Sequence, residues 1–123
     1  MDKSTKIYRS ALKKYQNGYI DKALEISEEC ISLNFKNSAA INLKGLLLYL
    51  KGELLNARMV WKLNYHMNKD GVAKSYLENS KKDEEREMLY KQAIIYIKQV
   101  NIIAAIEILE RCAQSDYNTI NIN

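Results

Sequence analysis

Apolar residues recur every three or four positions along most of this chain, which is the spacing of amphipathic helices. Four of them, Ile7, Ala11, Leu12 and Tyr15, predict a first helix capped by Ser4. Asn17-Gly18 ends this helix with a turn, and the pattern resumes from about Ile20 to Asn34. The segment therefore predicts two helices that run in opposite directions.

The same pattern of two helices joined by a glycine turn recurs further along the chain. We predict that Ser38 caps a helix over residues 39–51, that Gly52 makes the turn, and that residues 54–68 form the returning helix. A short helix is expected over residues 72–80, because its apolar residues share one face. A third pair is predicted over residues 83–99 and 102–115, with Val100-Asn101 in place of the glycine turn.

These pairs are internal repeats. Shifting the chain by 34 residues aligns five positions: Ile7 with Ile41, Ala11 with Gly45, Tyr15 with Tyr49, Gly18 with Gly52, and Ala23 with Ala57. A shift of 82 residues aligns ALEISEEC, residues 23–30, with AIEILERC, residues 105–112. Because 82 is two periods plus 14 residues, we expect an insertion between Gly71 and Glu85.

Composition supports an all-α fold. The 123 residues include no proline and only four glycines. The many tight turns of a β-sandwich or barrel need more of these turn-forming residues. The net charge of +4 is spread among interleaved acids and bases, which argues against nucleic-acid binding. No apolar run suits export or membrane spanning, and two cysteines are too few for a disulfide framework. A cytoplasmic location is expected.

Sequence motifs for catalysis are missing. No glycine-rich phosphate loop occurs, and His66 is the only histidine, without a second ligand at helical spacing. Cys30 and Cys112 lack the spacing of a metal or redox pair. We therefore expect no enzyme activity, no cofactor and no metal site.

With 34-residue helix pairs, a small residue midway in the first helix, a glycine turn and an early alanine in the second, the chain resembles the tetratricopeptide repeat (TPR) family. The resemblance implies a right-handed α-α superhelix of about three helix pairs with one extra short helix. It implies one domain over residues 1–119, with repeats at about 4–37, 38–71 and 86–119, the inserted helix at about 72–80 and a tail at 120–123. It also implies that Trp61, Cys30 and Cys112 are buried packing residues.

The resemblance further implies a non-catalytic module that scaffolds a complex by holding a peptide or partner helix in a concave groove. The expected groove residues are mostly apolar and rich in tyrosine: Tyr8, Leu12, Tyr15, Asn42, Leu46, Tyr49, Tyr90, Ile94 and Lys98. Each of these has packing between helices as its alternative role. Asn42 is the candidate for hydrogen bonding to a bound backbone.

Two questions stay open at this stage. The family also includes sensors of short signalling peptides, so the alternative function is a peptide-sensing regulatory segment of a larger protein. Because the ends of such stacks normally need a cap, the end near Ser115 is expected either to continue in a longer protein or to be covered by homo-oligomerisation.

Overall fold

The computed structural model describes residues 2–99 and 102–119, with side chains described as far as residue 114. The described residues form seven helices and contain no strand. These are α1 (Lys3–Gln16), α2 (Ile20–Leu33), α3 (Ser38–Leu50), α4 (Leu54–Asn68), α5 (Gly71–Asn79), α6 (Lys81–Lys98) and α7 (Ile102–Thr119). The all-α prediction is confirmed, and every helix begins within two residues of its predicted start. The predicted turn Val100-Asn101 and the tail at 120–123 lie outside the described residues.

The helix caps differ from the prediction by one or two residues. Asp2, not Ser4, caps α1 by accepting a hydrogen bond from the Thr5 amide at 2.9 Å. Asn37, not Ser38, caps α3 by accepting from the Ala40 amide at 3.1 Å. An aspartate or asparagine caps a helix at least as well as serine, and each stands just before the serine that the sequence pattern suggested.

Ser4, which the sequence pattern suggested as the cap of α1, links the first helix pair to the second instead. Its buried hydroxyl donates to the Cys30 carbonyl at 3.1 Å and accepts from the Asn37 side-chain amide at 2.8 Å. Asn37 thus both caps α3 and ties it to α1. The start of one pair is hydrogen-bonded to the start of the next.

The described residues up to Ser80 form one compact unit, and those from Lys81 onward form a second. In the first unit, α1 packs against α2, α3 packs against α4 and also against α1 and α2, and α5 packs on α4. The core where α1, α2 and α3 meet contains fully buried Ala11 and Ala23, with Leu43 and Leu47 beside them. Small residues let the two helices of each pair approach closely, as the repeat pattern predicted.

Gly45 shows how close this approach is. A Cβ atom built on Gly45 would lie 2.6 Å from Cδ1 and 2.7 Å from Cε2 of Trp61. The indole of Trp61 is itself buried, and its Nε1 donates to the Asn42 carbonyl at 3.4 Å. The glycine therefore makes room for a tryptophan where the first pair has Ala11 and Ser27 at the corresponding positions. The prediction that Trp61 belongs to the core is confirmed.

In the second unit, α6 and α7 pack against each other. Their buried residues are Ala93 on α6 and Ala105, Ile108 and Cys112 on α7. Both cysteines of the chain are buried and free, which confirms their prediction as packing residues. A single domain over residues 1–119 stays a prediction.

Candidate functional site

Residues from three helices of the first unit line a continuous groove, which we call the tyrosine groove. Tyr8, Leu12 and Tyr15 come from α1, and Val72 and Tyr76 come from α5. Between them, α3 contributes Ala39, Asn42, Leu43 and Leu46. Five of the residues predicted for partner binding are thereby brought together: Tyr8, Leu12, Tyr15, Asn42 and Leu46.

The tyrosine groove is apolar and modest in size. Its lining includes no charged side chain, and its volume is about 270 Å³. Pockets that bury whole drug-sized ligands usually measure ~300–1,000 Å³, so this groove lies just below that range. A few apolar side chains of a peptide fit such a space better than a complete small molecule does.

The tyrosines give this apolar surface a few polar tips. Burial, with smaller contributions from Tyr76 and Cys30, raises the pKa of Tyr8 above its ordinary value. The Tyr8 hydroxyl therefore stays protonated at neutral pH and can both donate and accept a hydrogen bond. Tyrosine combines a large contact area with little rotamer entropy to lose, which is why it is enriched at interface hot spots.

Asn42 uses its side-chain amide and oxygen for hydrogen bonds within the protein. Its side-chain amide donates to Asp70 Oδ1 at 2.8 Å, and its side-chain oxygen accepts from Asn64 Nδ2 at 2.8 Å. Only 8% of the residue is exposed. Asn42 therefore connects α3 with α4 and the start of α5, and its expected hydrogen bond to a bound backbone stays a prediction.

The remaining predicted residues lie elsewhere. Tyr49 does not line the tyrosine groove, and its ring lies 6.2 Å from that of Trp61, centroid to centroid. Tyr90, Ile94 and Lys98 belong to α6 in the second unit and are exposed to solvent. The groove is built from the first unit alone.

The sequence interpretation missed the contribution of α5 to the groove. Val72 and Tyr76 take the place that the third pair was expected to fill, although both were recognised as part of one helical face. Tyr76 also stacks on Trp61, with ring centroids 4.8 Å apart and an interplanar angle of 24°. The apolar spacing of α5 shows which face of this helix is apolar, but it does not show which helix packs against that face.

A partly buried polar network fixes the start of α5. Asp70 caps α5 by accepting from the Ala73 amide, and it also accepts from the Ser38 hydroxyl at 2.6 Å and from Asn42. Burial alone raises the pKa of Asp70, but the hydrogen bonds from Ser38, Asn42 and the α5 backbone outweigh it and lower the pKa below its ordinary value. The carboxylate is thus held in its charged form where α3 and α5 meet.

Arg58 fixes the other end of α5. This residue is only 6% exposed, and its guanidinium donates to the Leu77 carbonyl at 2.7 Å and to the Ser80 hydroxyl. A cation beside the last carbonyls of a helix is favourable because they carry partial negative charge. Helix α5 is therefore held at its start by Asp70, in its middle by the Tyr76–Trp61 stack and at its end by Arg58.

The described residues offer neither a cluster of metal ligands nor a helix that could span a membrane. In residues 2–99 and 102–119, no group of three or more histidine, cysteine, aspartate or glutamate side chains could hold a metal ion. Within the same residues, no helix has the length and apolar character needed to cross a membrane.

The chain matches no protein-family model, and no curated protein has a similar sequence.

Proposed function

We propose that this protein is a non-catalytic binding module of the TPR type, which holds an apolar segment of a partner protein in the tyrosine groove. The observation that carries the proposal is the convergence of Tyr8, Leu12, Tyr15 and Leu46 with Tyr76 on one uncharged groove. Stacked helix pairs commonly bind peptides or helices on the surface formed by their first helices.

The arrangement of helices in the first unit supports the TPR assignment. Within it, α3 packs on both helices of the preceding pair, and α5 packs on α4. The hydrogen bonds of Ser4 with Asn37 and of Ser38 with Asp70 repeat the same link at successive pairs. We propose that the pairs stack as a right-handed superhelix, and that α5 occupies the position of a following first helix.

The proposed partner is a protein segment that presents aliphatic or aromatic side chains. A strongly charged ligand is disfavoured because the groove offers no charged side chain to compensate for its desolvation. We propose that the module works in the cytoplasm, where two buried free cysteines suit a reducing environment. In this role the chain scaffolds a complex and performs no chemistry.

A matched pair of substitutions tests the proposal. Leu46→Asp puts a carboxylate into the groove, and Leu33→Asp makes the same change at a residue of α2 that is 48% exposed and outside the groove. Proteins retained from the source lysate by the wild type should be lost with Leu46→Asp and kept with Leu33→Asp. Retention of the same proteins by all three forms would contradict the proposal, provided that circular dichroism shows each form to be folded.

A further inference from the structure

A second apolar surface lies on the first unit, away from the tyrosine groove. We call it the outer cleft: it measures about 180 Å³ and lies between α2, α3 and α4, where Ile31, Phe35, Ile41, Val60, Leu63 and Met67 line it. Phe35 is 63% exposed and Leu63 is 59% exposed. Residue spacing places Ile41 and Lys44 on the side of α3 opposite Asn42 and Leu46, so the two surfaces are separate.

The outer cleft is bordered by positive charge. Lys44 lines it, and Lys36 extends its amine over the Phe35 ring, 5.8 Å from the centroid. Glu28 approaches Lys44 at 3.8 Å on the surface, a distance and exposure at which ion pairs contribute little. Residues 1–80 as a whole carry 13 lysines and arginines against 8 aspartates and glutamates. A fitting occupant is therefore apolar with an acidic border.

Helix α7 of the second unit has this character. Its inner face is used against α6, yet Ile102, Ile103 and Ile106 are 58%, 84% and 50% exposed. Ile102 and Ile106 form a stripe at helical spacing, and the exposed Glu107 and Glu110 lie beside it. Residues 81–123 carry six basic and seven acidic residues, the opposite balance to the first unit.

We propose that the outer cleft of one chain receives the apolar stripe of α7 from a second copy of the chain. Ile102 and Ile106 would enter the cleft beside Leu63 and Phe35, and Glu110 would approach Lys44 or Lys36. Both surfaces would then lose exposed apolar area, which is the main driving force for association. Because the two surfaces differ, the contact is head-to-tail, and the pair of chains keeps one free cleft and one free stripe for further copies.

Two substitutions test the two surfaces of this contact separately. Leu63→Asp places a carboxylate in the cleft, and Ile106→Asp places one in the stripe; Leu33→Asp is the control at similar exposure outside both surfaces. In sedimentation velocity over a range of concentrations, the wild type and Leu33→Asp should show an average mass that rises above 14.3 kDa. Each of the other variants should weaken association by about ten-fold or more, because a charge would have to be buried.

Mixing the two defective variants gives the sharpest outcome. The Leu63→Asp chain keeps its stripe and the Ile106→Asp chain keeps its cleft, so an equimolar mixture should form a dimer that neither variant forms alone. A wild type that is monomeric at every concentration would overturn the proposal, and so would a mixture that stays monomeric. Loss of association with Ile106→Asp but not with Leu63→Asp would also overturn it, because α7 would then be pairing with α7. Circular dichroism confirms folding of each form, and Leu46→Asp should associate like the wild type.

Discussion

The contact between Gly45 and Trp61 allows a prediction in which two physical effects oppose each other. Replacing a glycine within a helix by alanine normally stabilises the helix by ~1 kcal/mol. In Gly45→Ala, however, the new methyl group would overlap the indole of Trp61, with atoms 2.6 and 2.7 Å from it. Helix propensity alone therefore predicts a gain in stability, and packing predicts a loss.

Packing should prevail because Trp61 has nowhere to move. Its ring is 2% exposed, stacks on Tyr76 and lies 6.2 Å from the Tyr49 ring. Overpacking a core typically costs ~1–3 kcal/mol, and contacts this short on a confined ring place the cost at the upper end. Subtracting the gain in helix propensity leaves a net loss of ~2 kcal/mol for Gly45→Ala.

Urea unfolding followed by tryptophan fluorescence measures this loss directly, since Trp61 is the only tryptophan and reports on the first unit. With a slope of ~2 kcal/mol per molar urea, a loss of ~2 kcal/mol lowers the midpoint by about 1 M. Gly71→Ala is the matched control, because a Cβ at Gly71 would meet nothing within 4 Å. It should be neutral or slightly stabilising. A Gly45→Ala protein as stable as the wild type would refute the reasoning.

Four further predictions concern the hydrogen bonds that hold α5 and the buried thiol of Cys30. Asp70→Ala should lower the free energy of unfolding by ~2–3 kcal/mol, since a helix cap is lost and Ser38 and Asn42 lose their acceptor; urea midpoints of the two proteins measure this. Because the folded pKa of Asp70 is lowered, its stabilisation is complete above the unfolded pKa of ~3.9 and is lost as the pH falls through the folded value. Acid titration of stability should therefore be shallower in Asp70→Ala than in the wild type, and parallel curves would contradict the assignment. Arg58→Met should lower the free energy of unfolding by ~2 kcal/mol, because the donor to Leu77 and Ser80 is removed. An unchanged urea midpoint would show that these hydrogen bonds do not stabilise the end of α5. Burial raises the pKa of Cys30, so a thiol reagent at neutral pH should modify it far more slowly in the folded protein than in urea, and equal rates would count against burial.

The sequence predicted the helices because they depend on local spacing, and the resemblance to the TPR family named much of the groove lining. Apolar residues three and four positions apart gave the helix starts, and the 34-residue repeat placed Tyr8, Leu12, Tyr15, Asn42 and Leu46 on equivalent faces. The helix starts follow from the geometry of a helix and need no knowledge of the fold, whereas the groove residues were named from what the resemblance to the TPR family implies.

The details that sequence reasoning missed depend on contacts between distant residues. Asn42 was given a role toward a ligand, whereas Asp70 and Asn64 use its side-chain groups. Helix α5 was recognised, but its place beside α3 in the groove depends on the Tyr76–Trp61 stack. A periodic pattern shows which face of a helix is apolar, and it does not show which partner covers that face.

The central claim is that the tyrosine groove is the surface that contacts a partner, and site-specific photo-crosslinking in cells tests it most directly. Benzoylphenylalanine in place of Tyr15 puts the reactive group in the groove, and the same replacement of Tyr19, which is 60% exposed, puts it outside the groove. We predict a discrete cross-linked protein with the probe at position 15 and none with the probe at position 19. Cross-linking of the same protein from position 19 alone, or from neither position, would contradict the claim.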